Sequence, residues 1–266
     1  MSASAALDLE ALLAAAVRAA EAGGAIVRDA FGTVPDAREK APGDWVSEAD
    51  TASERAIRRL LAAAAPGIPV HGEEEGGRRA PLGWLVDPLD GTANFLHRFP
   101  VFAVSVALLE DGQPAVGVVH APMLGDTYTA RRGGGARRNG RPIRVSDRPA
   151  GQAIVATGTP FRAKDTRLPE YLRAFERALR GFEDLRRAGA ASLDLAWTAA
   201  GTFDGYFEAA LGPWDVAAGA LLVREAGGLV TDWAGDPDAW LRSGDIVAAP
   251  PSLHGRVLAV VAGPGG

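Results

Sequence analysis

The stretch WLVDPLDGTANF, residues 84–95, constrains the fold more than any other part of the chain. Three apolar residues, Trp84, Leu85 and Val86, read as a buried strand. That strand delivers two aspartates, Asp87 and Asp90, with Gly91 and Thr92 directly behind them. An unpaired carboxylate at the end of a buried strand is costly. The pair therefore caps a turn or holds something positive, and the fold must bring partners for it from elsewhere in the chain.

The flanking pattern says what kind of fold can do this. Residues 8–31 read as a helix with Leu9, Leu12, Leu13 and Val17 on one face. Residues 32–45, rich in Pro, Gly and charge, read as a loop. Ser47 and Asp50 have capping-box spacing ahead of a second helix carrying Ile57, Leu60 and Leu61, which Pro66 and Gly67 stop. Short strands are expected at 68–71, 84–87, 101–109 and 114–120, the last two joined through Asp111-Gly112, and a hairpin at 133–146. Beyond residue 150 strands and helices alternate: strands at 154–157, 183–187, 206–209 and 229–232, helices at 168–180, 192–200 and 215–226, and a final strand and helix. Such alternation predicts an α/β fold of layered helices and sheets. With 266 residues and 47% hydrophobic content, one domain suffices, with subdomains of about 1–150 and 151–266.

Composition excludes several functions. There is no Cys, so neither a disulfide framework nor a thiolate metal site is available. A net charge of −5 argues against a general binder of nucleic acid or anionic membrane. The Ala-rich start lacks a basic leader and is interrupted by Asp8, Glu10 and Arg18, so it reads as helix and not as a signal peptide. No apolar run is long enough to span a bilayer, and a cytoplasmic protein is expected.

The acidic residues at the ends of elements carry the chemistry. Asp50 opens the second helix, Glu73, Glu74 and Glu75 follow a short strand, Asp87 and Asp90 end another, and Asp215 begins a late helix. Carboxylates so placed, with four His in no zinc-type spacing, suit a hard cation such as Mg2+. Taken singly, each reads as a cap or a turn residue.

In order and neighbourhood, the runs DWVSEAD, GEE, WLVDPLDGTANF and PWDVAAGALLVREAGG, with GGGARRNGRPIRVS at mid-chain, resemble the inositol monophosphatase family of metal-dependent, lithium-sensitive phosphatases. The resemblance spans nearly the whole chain and implies the layered sandwich shared with fructose-1,6-bisphosphatases. It implies one Mg2+ held by Glu73, Asp87 and the carbonyl of Leu89, a second held by Asp87, Asp90 and Asp215, and a third, weaker ion near Glu73. By the same resemblance Asp50 and Thr92 orient the attacking water beside the catalytic Glu73. Backbone N–H groups of Gly91 and Thr92 meet the phosphate, and Asp90, Ala191, Glu208 and Asp215 complete the substrate pocket. The implied reaction is hydrolysis of inositol 1-phosphate or a similar polyol phosphate by a metal-activated water in a homodimer. Histidinol phosphate and fructose 1,6-bisphosphate are alternative substrates on this fold. The ANF that follows the aspartate pair disfavours a nucleotide. A phosphatase with an aspartyl nucleophile, of D-x-D-G-T type, does not fit, because Pro88 stands where that nucleophile would be. One departure concerns residues 189–192, where the family carries Gly, then Ser or Thr, then two Ala; this chain reads Gly189, Ala190, Ala191, Ser192, so a hydroxyl is lost at 190.

Other residues read as bystanders. His97 has no second ligand nearby and reads as a structural hydrogen-bonding residue, and the Trp residues read as core. Glu74 and Glu75 read as solvated neighbours of Glu73. Lys40 belongs either to a lid over the metals or to a loop kept soluble by charge. Six Arg within residues 131–144 form the basis of a non-enzyme alternative, an RNA or transcription-complex interaction module; without interleaved aromatics they read as solvated hairpin residues.

Overall fold

The structure is a computed structural model that describes residues 7–33, 37–41 and 44–263. Helix α1 (Leu9–Ala30) begins where the Asp8 carboxylate accepts the N–H groups of Glu10 and Ala11, at 3.1 and 3.0 Å. Its buried stripe is Leu12, Ala15, Ala16, Ala19, Ala20, Gly23 and Val27, offset from the expected leucine face. The offset follows from close helix packing. A Cβ at Gly23 would lie 2.6 Å from Ser53 Oγ on α2 (Glu48–Ala64), so small residues face that neighbour while Leu9, Leu13 and Val17 flank it. On α2, Ile57 and Leu61 are buried, but Leu60 is exposed.

The segment expected as a loop before α2 instead forms a two-stranded antiparallel ribbon, β1 (Ala37–Ala41) and β2 (Asp44–Ser47), and residues 34–36 and 42–43 of it lie outside the described residues. Charge and Pro masked the ribbon, because neither short strand alternates between buried and exposed positions. A seven-stranded sheet follows in sequential order: β3 (Val70–Gly72), β4 (Gly83–Asp90), β5 (Ala103–Glu110), β6 (Gln113–Ala121), β7 (Asp126–Arg131), β8 (Ala136–Arg138) and β9 (Arg141–Pro142). Strand β7 went unread in the sequence, because its inward positions are Asp126, Tyr128 and Ala130 and not a run of aliphatics. Between β4 and β5 runs α3 (Thr92–Leu96).

The second half supplies β10 (Ile154–Thr157), α4 (Lys164–Gly181), β11 (Asp184–Arg186), α5 (Ala191–Ala199), β12 (Gly205–Glu208), α6 (Pro213–Glu225), β13 (Leu229–Thr231), α7 (Trp240–Ser243), β14 (Ile246–Ala249) and α8 (Pro251–Ala262). Its five strands pair in the order β11-β10-β12-β14-β13.

Strand alternation decides the layers. Trp84, Val86, Val104, Val106, Val116 and Val118 face α1 and α2 on one side of the large sheet. Leu85, Ala103, Ala107 and Val119 face the opposite way, onto α5 and α6. Tyr206 and Ala248 of the small sheet meet those same two helices, and Phe207, Val247 and Ala249 face α4 and α8. Helices and sheets thus alternate in layers, as expected. With both faces covered, every residue of β4 is buried, which is why it reads as an unbroken apolar run until its aspartates. Among the described residues no helix is long and apolar enough to cross a membrane.

Candidate metal centre and active site

Asp87 and Asp90 are three apart, so on a regular strand they would face opposite sides of the sheet. The structure resolves this with a bulge. Asp87 pairs with Ser105 and Asp90 with Ala103, so β4 carries one residue more than β5 between those points. Pro88 sits within the bulge, where its missing N–H does not break the ladder. Both aspartates then line one cavity of about 220 Å3, together with Glu73, Leu89, Gly91, Thr92, Ala191, Glu208 and Asp215. Gly91 ends the strand at φ +98°, a left-handed conformation that turns the chain sharply into α3.

Four segments distant in sequence meet here. Glu73 follows β3, with its N–H donated to the Val86 carbonyl of β4 at 3.0 Å. Asp215 lies in the first turn of α6, where its carboxylate also accepts the Gly212 N–H at 2.7 Å, so it caps the helix as well as facing the cavity. Ser105 Oγ donates to the Trp214 carbonyl at 2.9 Å, which fixes that helix end beside Asp87. Carboxylate oxygens of Glu73, Asp87 and Asp215 all lie within 4.8 Å of one another.

Asp90 and Leu89 line the same cavity but have other partners. The Asp90 carboxylate accepts the N–H groups of Ala191 and Ser192, at 3.2 and 2.7 Å, and the Ser192 hydroxyl at 2.6 Å. Ser192, two residues after the Ala190 departure, thus spends its hydroxyl on Asp90, a contact the sequence did not disclose. The Leu89 carbonyl accepts from Thr92 Oγ1 at 3.0 Å. Thr92 Oγ1 also lies 2.9 Å from Asp50 Oδ1, and the other Asp50 oxygen takes the N–H and hydroxyl of Ser47, so the expected capping box and the expected Asp50–Thr92 pair share one carboxylate. Glu208 is buried and accepts from the Tyr206 hydroxyl.

Crowding in a buried cleft moves the pKa values of Glu73, Asp87, Asp90, Asp50 and Glu208. Burial, then the neighbouring Asp215 charge, pushes Glu73 up to about 8, against the pull of Arg162 and Lys40. Burial, then Asp215, holds Asp90 at about 6. Asp87 is raised well above the usual range by burial and by Glu73, Asp90 and Asp215. Burial likewise lifts Asp50, and it takes Glu208 to about 8 although the Tyr206 hydroxyl favours the charged form.

Two cations answer this charge, and the sequence had not singled out the stronger of them. Arg162, on the turn before α4, donates to Asp215 at 2.6 Å and to Glu73 at 2.9 Å. Lys40 on β1 reaches Glu73 at 3.2 Å and Glu74 at 2.7 Å, which places it over the acidic cleft. Glu74 is therefore not a solvated neighbour: its side chain is 3% exposed. Glu75 is the more open of the two and pairs with Arg55. No short-range sequence signal marks Arg162, which lies 53 residues from Asp215. Asn94 also went unread; its side chain bonds the Val101 and Ala188 carbonyls at 2.7 and 2.9 Å and ties α3 to the loop before α5. Asp194 on α5 is fully buried with neither oxygen bonded, and burial raises its pKa well above the usual range. His97 is exposed at the end of α3.

An all-oxygen set of converging carboxylates that only protons or internal cations otherwise neutralise fits a hard divalent ion. The inositol monophosphatase family model matches residues 8–263. The chain belongs to the inositol monophosphatase family. It is 42% identical over 255 residues to the Nus factor SuhB of Escherichia coli K12, covering 93% of this chain and 94% of that protein. It is 41% identical over 261 residues to an inositol-1-monophosphatase of Mesorhizobium japonicum, covering 96% and 97%. The crystal structure of extragenic suppressor protein suhB from Bartonella henselae superposes with a TM-score of 0.90 at 37% identity, covering 94% of this chain and 98% of that one. The family is one of phosphatases that use Mg2+.

The pKa values give a signed expectation. Glu73 and Glu208 carry folded values near 8, above the ordinary 4.5. A carboxyl raised in this way stabilises the fold fully below its unfolded pKa, and that stabilisation is lost as pH rises through the folded value. Metal-free protein should therefore lose thermal stability between about pH 4.5 and 8, and Mg2+ should restore more of it at pH 8 than at pH 6. Calorimetry in chelator and in Mg2+ across that range checks this; a metal-free melting temperature that rises from pH 5 to 8 contradicts it.

Proposed function

We propose that this family member is a Mg2+-dependent phosphomonoesterase acting on inositol 1-phosphate or a similar polyol phosphate, as a cytoplasmic, Li+-inhibited homodimer with the two subdomains expected from its sequence. The observation that carries the reading is the meeting of Glu73, Asp87 and Asp215 within 4.8 Å of one another in a cavity also lined by Thr92, whose hydroxyl donates to the buried Asp50 carboxylate at 2.9 Å. Glu73, Asp87, Asp90, Asp215 and the Leu89 carbonyl are the proposed Mg2+ ligands. When bound, Mg2+ offsets the charge of the phosphate, lowers the pKa of a nearby water and stabilises the leaving oxygen.

The chain's own residues do the rest. Thr92 gives its hydroxyl proton to Asp50 or to the Leu89 carbonyl, which leaves its oxygen lone pairs free to accept from a water and orient it. A proton from that water would pass to Asp50 through Thr92, whose hydroxyl takes it up while handing its own proton to Asp50 Oδ1, the oxygen that Ser47 leaves open. Gly91 and Thr92, at the turn into α3, offer backbone N–H groups to the phosphate. Asp90, held by the first turn of α5, and Glu208, held by Tyr206, present fixed acceptors to substrate hydroxyls. A cavity of about 220 Å3 suits a compact monoester; drug-sized ligands take roughly 300–1,000 Å3. Histidinol phosphate and fructose 1,6-bisphosphate remain the alternatives to test beside it.

Phosphate release should vanish in excess chelator, return with Mg2+ and fall with Li+. Asp215→Asn keeps the shape of the side chain and its Gly212 contact, so the fold should survive while turnover drops roughly a hundredfold or more. A phosphate-release panel over the three substrates, with both proteins, tests this; full activity in chelator or near-normal turnover of the variant removes the metal assignment.

Glu208 separates recognition from chemistry. Assayed above pH 8, where the Glu208 carboxyl is ionised, Glu208→Gln should lower kcat/KM for inositol 1-phosphate about ten- to a hundredfold, the worth of one charge-assisted hydrogen bond, and leave p-nitrophenyl phosphate nearly unchanged. Equal losses on both substrates would assign Glu208 to the fold or the metals.

The Nus factor name of the Escherichia coli relative favours a second reading, an RNA or transcription-complex role. The hairpin arginines support it poorly, because Arg131, Arg132 and Arg138 are paired with Glu10, Glu110 and Asp126. A salt-sensitive RNA mobility shift at micromolar protein is the result that would promote it, and none is expected.

A further inference from the structure

Helix α2 places three buried polar side chains side by side: Asp50, Ser53 and Glu54. The first reaches Thr92, and Ser53 Oγ donates to the Pro88 carbonyl inside the aspartate bulge at 3.0 Å. Glu54 is fully buried and turns to the remaining metal segment, the loop of Glu73. Its Oε2 accepts the Glu74 N–H at 2.8 Å, and its Oε1 accepts the Glu75 N–H at 3.1 Å. Arg58, one helical turn on, donates to Glu54 Oε1 at 2.7 Å and to the Val70 carbonyl at 3.0 Å, and also binds the Gly76 carbonyl. The loop from β3 through Glu75 is thereby clamped at both its N–H and its carbonyl groups by one ion pair. The sequence provides room for it at Gly72, where a Cβ would overlap the Glu54 carboxylate.

We infer that Glu54 is a positioning residue for divalent metal binding: with Arg58 it fixes the backbone that carries Glu73 against the aspartate bulge. The inference rests on the reading of Glu73 as a metal ligand. The physical case is that, among the described residues, Glu73's side chain is bonded by Lys40 and Arg162, both of which a metal ion would displace, so its aim in the metal-bound state depends on its backbone. That backbone is held by the Glu73 N–H on Val86 and, immediately after, by Glu54 on the next two N–H groups. Partners of this outer kind tune metal affinity strongly. A buried Glu–Arg pair adds little net stability by itself, so a clamp role explains it better than stability alone.

Glu54→Gln tests this. The amide keeps one acceptor oxygen but sets an NH2 against a backbone N–H, so one of the two loop contacts is lost while the volume is unchanged. The readout is Mg2+ affinity by titration calorimetry, together with the metal-free melting temperature and kcat at saturating Mg2+. The expected result is an Mg2+ dissociation constant raised roughly ten- to a hundredfold, with kcat at saturating Mg2+ within about threefold of the parent. Gly72→Ala, which presses on the same carboxylate without altering any charge, should weaken Mg2+ in the same direction and carries the test if Glu54→Gln does not fold. A folded variant with an unchanged Mg2+ dissociation constant overturns the inference and leaves Glu54 as part of the fold only. A parent protein that binds no Mg2+ would instead overturn the metal assignment on which the inference stands.

Discussion

Mutual repulsion among buried carboxylates is the constraint on which the rest of this structure depends. Glu73, Asp87, Asp90 and Asp215 converge in one cleft, and burial alone raises the cost of charge on the first three. Nothing in such an arrangement is self-stabilising. It persists because each acid is attached to an element whose position is decided by apolar packing elsewhere: a fully buried central strand, a loop latched to its neighbour, and the first turn of a helix pressed between two sheets. The layered core supplies the favourable free energy, and the cleft uses part of it to hold like charges together in readiness for a cation.

Local devices convert that global packing into a site. The bulge at Pro88 turns two aspartates of opposite parity toward the same cavity. The first turn of α5 meets Asp90 with two N–H groups and a hydroxyl, a favourable end of the helix for a carboxylate. Helix α2 acts as a rail from which Asp50, Ser53 and Glu54 each secure a different segment of the site. Arg162 and Lys40 bring positive charge to Glu73 from two separate segments, Arg162 also meeting Asp215 and Lys40 also meeting Glu74. Burial disfavours the charge of each, yet the surrounding carboxylates outweigh it and raise both pKa values. The cleft therefore has an internal counter-charge, which a metal ion held by these carboxylates would have to displace.

Membership of a phosphatase family and likeness to proteins named Nus factor stand together here without conflict. Glu73, Asp87 and Asp215 converge in a largely buried cluster, whereas three of the hairpin arginines are engaged with acids of the same chain. Selection for chemistry leaves its mark in costly buried charge, and a solvated basic turn carries no comparable cost.

The amino-acid sequence by itself determined the alternation of helices and strands, the buried strand ahead of Asp87, and the placement of nearly every proposed ligand at the end of an element. Those features are local: hydrophobic period, capping spacing and turn residues act within a few positions. Where local signals were weak, the reading failed. The β1–β2 ribbon hid among charged residues, β7 lacked an aliphatic run, and the buried stripe of α1 followed small residues packed on α2 and not the leucines. The partners of the site were decided only by the tertiary structure. Ser192 on Asp90, Arg162 between Glu73 and Asp215, and Glu54 under the Glu73 loop join residues 20 to 102 positions apart. Such contacts have no period to read, because a side chain's hydrogen-bond partner is set by which elements the core brings alongside it, and that is a property of the packed layers as a whole.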